Sequence, residues 1–202
     1  EIVSRDWSSD VCSSDLHVRA RDLAMLRRSL LAALFLAAPA FAATDLDGYA
    51  NTGFTLDGIG KSYMGREIAA VMGFEGAAWL DRANRDKEES STKLVPLLGL
   101  KPTDVVADIG AGTGYFSFRM APVVPQGKVY AQDIQKEMLD VIRARKEKGE
   151  GANVVPLQGS IVDPKLPQNS VDLMLLVDVY HEFSFPREMG LAMVRDRKST
   201  RL

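Results

Sequence analysis

Histidine and cysteine are nearly missing from this chain. Of its 202 residues one is cysteine, Cys12, and two are histidines, His17 and His181. A single thiol cannot close an internal disulfide, and no Cys/His spacing resembles a zinc site. Two histidines also exclude a histidine-rich metal centre, so no metal is expected. Charge of one sign is missing as well. Lysine and arginine number 25 against 27 aspartates and glutamates, a formal net charge of -2. That balance leaves no electrostatic footprint for nucleic acid or an anionic membrane. Nor do residues 30–38, a run of Leu, Ala and Phe, reach the length a helix needs to span a ~30 Å hydrocarbon core. What is present is apolar mass. At 46% it is enough to bury a real core, and the length suits one α/β domain plus a small extra segment.

The two ends read differently from the middle. Residues 1–24 carry a near-repeat, Ser8-Ser9-Asp10 then Ser13-Ser14-Asp15, and no sustained periodicity. The stretch from Trp7 to Leu16 looks like translated sequencing adapter, and residues 196–202, Asp-Arg-Lys-Ser-Thr-Arg-Leu, look like the same kind of sequence. The plainer alternative is a disordered N-terminus and a basic tail. Met25 opens another pattern: Arg27 and Arg28, the apolar run, Pro39, and then the small-residue pattern Ala40-Phe41-Ala42. This is signal-peptide grammar, with cleavage expected after Ala42; a buried helix of the mature domain is the alternative. Export to the periplasm is therefore expected, with a cytoplasmic location as the other possibility. A mature chain without Cys12 suits an oxidising compartment.

Between these ends the hydrophobic period divides the chain. Residues 43–60 are rich in Gly, Asp, Asn and Thr and read as an irregular lead-in. Residues 62–98 read as helical. Ile68, Val71 and Met72 recur at i, i+3 and i+4, and Arg85-Asp86-Lys87-Glu88-Glu89 opens a charged helix with Leu94, Leu97 and Leu98 on its apolar side. An N-terminal helical segment is thus expected over 43–100. After Lys101-Pro102 the pattern alternates. Strands are expected at 105–109, 128–133, 154–158 and 171–177, with helices at 115–124, at 135–148 and from Pro186 to about Arg195. Alternating strands and helices imply βαβ units, right-handed crossovers and a doubly wound parallel sheet. Ligands bind such sheets at the carboxyl ends of the strands.

The chemistry concentrates in Asp108-Ile109-Gly110-Ala111-Gly112-Thr113-Gly114, between an expected strand and an expected helix. Glycines there allow a tight turn and close approach of a ligand to the backbone. A dinucleotide fingerprint spaces its glycines G-x-G-x-x-G; here the third comes one residue early and Tyr115 stands where Gly or Ala is wanted. Asp108 would repel a pyrophosphate but attract an ammonium. Both details favour S-adenosylmethionine over NAD. Asp133 closes the second strand, where a carboxylate can accept hydrogen bonds from ribose hydroxyls or cap the following helix.

Residues 105–116 resemble motif I of class I S-adenosylmethionine-dependent methyltransferases. Val129-Tyr130-Ala131-Gln132-Asp133 is similar to their acidic second motif, and residues 170–176 to their strand-four motif. The segment from Gly65 to Glu89 resembles the N-terminal part of a signal-bearing bacterial subgroup. The resemblance implies a Rossmann-like fold and cofactor contacts at Asp108, Gly110, Ala111, Gly112, Gly114, Tyr115, Asp133, Ile134 and Asp178. It departs from the pattern after the third strand, where Asp163 is the late candidate for the adenine amino group and a loop cap is the alternative. It departs again in length, since the family sheet has seven strands and four are legible here, which leaves the fourth as an apolar edge. The loop Asp178-Val179-Tyr180-His181-Glu182-Phe183 would face the acceptor. His181 is the expected base there, oriented by Asp178, Tyr180 and Glu182, with a partly exposed packing histidine as the alternative. Three functions stay open: a methyltransferase acting on a small molecule or a protein side chain, an S-adenosylmethionine-binding module without catalysis, and an NAD-dependent oxidoreductase.

Overall fold

Turn chemistry, not helical periodicity, shapes the first part of the described chain. The computed structural model describes residues 47–198; the adapter-like stretch 1–24 and the signal-peptide stretch 25–42 lie outside the described residues. β1 (Tyr49–Asn51), β2 (Gly58–Tyr63) and β3 (Arg66–Ala69) form an antiparallel sheet in that order. Met64 and Gly65 join β2 to β3 with both residues left-handed, φ 50° and 78°, and Tyr63 pairs with Arg66 across them. A two-residue turn of this hand matches the twist of paired strands. The helix expected from residue 62 is therefore replaced by a hairpin, and the expected lead-in carries two strands. Ile68 is buried as the inward residue of a strand. Its spacing to Val71 and Met72 matched a helix only by coincidence.

Three short helices follow: α1 (Ala77–Leu80), α2 (Arg85–Glu89) and α3 (Ser91–Leu97). The single charged helix expected across residues 85–98 is broken at Ser90, which turns left-handed at φ 51°. The N-terminal segment is thus a small sheet and short helices, not a helical unit.

The second sheet is as expected. β4 (Val105–Ile109), β5 (Lys128–Asp133), β6 (Val154–Gln158) and β7 (Leu173–Leu176) are parallel, in the order β6-β5-β4-β7. α4 (Ser117–Met120) is shorter than expected because Tyr115 and Phe116 stay in the turn after β4, where the Gly114 N–H donates to the Ala111 carbonyl. α5 (Lys136–Glu147) follows β5, and α6 (Pro186–Asp196) closes the described fold. Alternate residues of β4 feed two cores. Val106 packs with Met120, Leu139 and Ile142, whereas Ala107 and Ile109 pack with Leu166, Phe183 and Met189. Apolar residues on both faces are what a central parallel strand requires.

β7 is the outer strand on its side, as anticipated for an apolar edge. Its approach is nevertheless paired. Val171 bridges Arg197 in parallel, and the Lys198 N–H donates to the Val171 carbonyl. Asp196 is wholly buried and accepts from the Arg195 Nε at 2.8 Å. The domain therefore runs past the boundary set at residue 195.

Candidate active site

Strand order reverses at β4: β5 and β6 lie on one side of it, β7 on the other. The loops leaving β4 and β7 diverge there and open a cleft, the expected ligand position in such a sheet. Its non-protein space, mouth included, is about 950 Å³. Two glycines shape it. Gly110 and Gly112 are left-handed, φ 68° and 53°, and neither has room for a side chain. A Cβ at Gly110 would lie 2.3 Å from Val179, and one at Gly112 would lie 2.6 Å from Leu80. Gly110 thus lets the β7 loop approach the β4 loop, and Gly112 lets the N-terminal segment settle on both.

Two carboxylates stand in the floor. Asp108 is 3% exposed and accepts from the Ser117 hydroxyl at 2.6 Å. Burial pushes its carboxyl up to about 6; the Ser117 bonds oppose this, and the neighbouring Asp133 charge adds to it. Asp133 ends β5. One of its oxygens accepts the Gly112 N–H at 2.9 Å and the other the Gln135 N–H at 2.9 Å. Burial raises its pKa too, against the pull of those amides. The Ile134 amide is a third partner; a carboxylate has about four acceptor positions, so one remains for a ligand.

The sequence-expected site residues divide. Asp108, Gly110, Ala111, Gly112, Tyr115, Asp133, Ile134 and Asp178 line the cleft. Gly114 does not: its neighbours are Phe118 and Ile142, so it is a packing position. Asp163 does not either. Its carboxylate pairs with Arg195 at 3.1 Å and caps the Lys165 N–H at 2.6 Å. That Arg195 bond holds its carboxyl below the usual range. The loop-capping alternative is the one realised, and Ile161 lines the cleft in its stead.

His181 and Tyr180 also fall outside the lining. They sit in the 3-10 turn Tyr180–Glu182, where successive side chains point about 120° apart. One of three can face the cleft, and it is Glu182. The His181 side chain is 46% exposed, with Nε2 3.9 Å from Glu182; Tyr180 packs edge-on against Phe183. Glu182 has only 19% of its side chain exposed, and burial raises its pKa. The assignment of His181 as base and of Tyr180 beside it is thus corrected. Asp178 stays at the cleft, held left-handed at φ 50°, a conformation an aspartate adopts at some cost.

Sequence reasoning missed the cover. Val71, Met72, Leu80 and Arg85, all from the N-terminal segment, complete the cleft wall. The Met72 carbonyl accepts from Gln135 Nε2 at 3.0 Å on one rim, and its N–H bonds the Glu182 carboxylate on the other. Lys61 ties β2 to the β7 loop: its ammonium donates to the Ser184 carbonyl at 3.1 Å and lies 3.7 Å from the Phe185 ring centre. Arg85 is buried, but its charge is committed to Glu89 at 2.8 Å and to the Leu80 carbonyl at 2.8 Å. Nothing in the local sequence separates this arginine from its exposed neighbours. Only burial among residues distant in the chain does so.

Residues 106–196 match a family described as a methyltransferase domain. The parallel sheet, the cleft at its switch point and the paired carboxylates agree with that match. Residues 106–196 have the Rossmann-like fold of class I methyltransferases. Over 106 residues the chain is 33% identical to the malonyl-[acyl-carrier protein] O-methyltransferase of Methylococcus capsulatus, covering 52% of this chain and 36% of that one. Over 84 residues it is 34% identical to the ubiquinone/menaquinone biosynthesis C-methyltransferase of Ectopseudomonas mendocina, covering 41% of this chain and 33% of that one. The chain thus spans about a third of the length of these curated relatives. Among solved structures, a SAM-dependent methyltransferase from Aquifex aeolicus superposes with a TM-score of 0.59 at 28% identity, over 63% of this chain and 68% of that one.

The cleft fits the cofactor that the matched family implies, S-adenosylmethionine. Buried Asp108 and Asp133 suit a cationic methionine end and a ribose. Ile134, Met138 and Ile161 supply apolar wall for a flat base. A pyrophosphate would instead meet two carboxylates, and the one lining guanidinium is already paired with Glu89.

Proposed function

We propose that this methyltransferase cleft binds S-adenosylmethionine and that the protein transfers the methyl group to a small molecule or a protein side chain. The observation that carries this reading is the pair of buried carboxylates at the ends of adjacent strands, Asp108 bonded by the Ser117 hydroxyl and Asp133 by the Gly112 amide. The cofactor supplies a methyl group activated on a sulfonium. The chain's part is placement, which is where most of the rate in an in-line displacement arises. Asp108, oriented by Ser117, holds the ammonium end. Asp133 takes a ribose hydroxyl while its amide bonds keep it fixed. Met72 and Leu80 close the mouth and exclude water. Where an acceptor must release a proton, the Glu182 carboxylate is the group able to take it. We also place the protein in the periplasm, on the strength of Arg27-Arg28, the apolar run and Ala40-Phe41-Ala42.

Calorimetric titration of the full chain tests this. S-adenosylmethionine and S-adenosylhomocysteine are expected to bind, and NAD is not. Asp133→Ala should weaken the first two by ~1.5–3 kcal/mol, the cost of losing a charged hydrogen-bond acceptor. Binding of NAD in preference to S-adenosylmethionine, or an Asp133→Ala variant with undiminished affinity, would overturn it.

A further inference from the structure

The wall of the cleft away from Asp108 and Asp133 is the part left for the acceptor, and its charge is one-sided. The β7 loop contributes Asp178 and Glu182, and behind them stands Asp133. No cation answers them among the described residues that line the cleft. Arg85, the one lining cation, spends its guanidinium on Glu89 and on the Leu80 carbonyl, and it lies against the Tyr115 ring at 4.2 Å. Lys61, the nearest lysine on the hairpin, is turned out of the lining and bound to the Ser184 carbonyl between the Tyr49 and Phe185 rings. His181 is outside the lining as well.

The rest of this wall is apolar. Val71, Met72, Val179, Phe183 and Met189 line it. Within such surroundings Glu182 is held in one place. The Met72 N–H bonds its carboxylate, and the same Met72 is anchored at its carbonyl by Gln135 at 3.0 Å. One amide uses one of about four acceptor positions, so the carboxylate keeps lone pairs for a donor entering the cleft. A bound anion here would be buried beside two carboxylates with no counter-charge, a costly arrangement.

From this we propose that Glu182 selects the acceptor, taking an amine on an apolar stem and rejecting groups that are themselves carboxylates. The proposal rests on the methyltransferase reading of the same cleft. An amine arrives as its ammonium. One N–H proton passes to a Glu182 oxygen, the freed nitrogen lone pair forms the new N–C bond, and the S–C bond breaks with its electron pair leaving on sulfur. The carboxylic acid so formed returns its proton to water when the cover opens. The O-methyltransferase relative is named for a malonyl acceptor, so the two proteins would share a cofactor half and differ in the acceptor wall.

Three probes of one shape separate the charges: benzylamine, benzyl alcohol and benzoate, each titrated calorimetrically into the full chain saturated with S-adenosylhomocysteine. Benzylamine is expected to bind more tightly than the alcohol, and benzoate not at all. Glu182→Gln keeps the shape and removes the charge. It should weaken benzylamine by about tenfold or more, while S-adenosylhomocysteine affinity and the melting temperature confirm an intact fold. Benzoate binding as well as benzylamine, no benzylamine binding, or a Glu182→Gln variant that binds benzylamine normally each overturns the proposal. Failure of S-adenosylhomocysteine to bind at the outset is a different result and overturns the methyltransferase reading itself.

Discussion

Replacing Asp108 by asparagine should make the ligand-free protein less dependent on pH while damaging its site. The carboxyl of Asp108 is pushed up from 3.8 to about 6, chiefly by burial. At 1.36 kcal/mol per unit, holding the ionised form inside costs the folded state about 3 kcal/mol once the pH is above both values. The sign follows from proton counting. Between about pH 4 and pH 6 the folded protein binds the proton and the unfolded chain does not, so stability falls as pH rises through this window and is flat above it. The substituted asparagine would keep the acceptor for the Ser117 hydroxyl but carries no titration. Its amide hydrogens add a burial cost of their own, and that cost is the same at every pH. The quantity to measure is therefore a difference: the stability of Asp108→Asn relative to wild type, by urea unfolding, at about pH 8 minus that at about pH 4. It should be about +2.5 kcal/mol, because at pH 4 the unfolded carboxyl is already half ionised. Glu182 is also raised by burial, and Asp140 and Asp163 are lowered by their basic partners, and these cancel between variant and wild type; Asp133, whose charge couples to Asp108, cancels only in part. Parallel stability curves for the two proteins would refute the reasoning, because Asp108 would then not be desolvated.

The glycine loop and the compartment give two further expectations. Gly112→Ala puts a side chain at φ 53° and a Cβ 2.6 Å from Leu80; it should cost roughly 1–2 kcal/mol of stability through the left-handed backbone, read from a thermal melt, and should also weaken S-adenosylmethionine. Adding Leu80→Ala should recover the steric part and leave the backbone part, so full recovery would mean that the conformation at 112 is not strained. For the compartment, N-terminal sequencing of the protein from a periplasmic fraction should begin at Ala43, and an intact Met25 on cytoplasmic protein would contradict export.

What the sequence determined by itself is the cofactor half. β4, β5, β6 and β7 are legible because a buried parallel strand is apolar on both faces and short, and the glycines and Asp108 at the end of β4 are contiguous in the chain. A loop closed by local backbone bonds, such as Gly114 to Ala111, carries its geometry in its own residues. The N-terminal segment is not legible in the sequence, because Ile68, Val71 and Met72 satisfy a helical spacing while Met64-Gly65 closes a hairpin, and a turn that closes locally wins over a weak periodicity. The acceptor wall was beyond reach for a different reason. His181, Tyr180 and Glu182 are three adjacent polar residues, and which of them faces inward depends on the phase of one 3-10 turn. Next to it Phe183 is buried with Met189, and Gln135 holds Met72, contacts that only the folded chain makes. Asp163 likewise found Arg195, 32 residues along the chain. Contacts between residues far apart in sequence leave no periodic mark on either partner, so only the folded chain could show which carboxylate faces the cleft and which is spent on an ion pair.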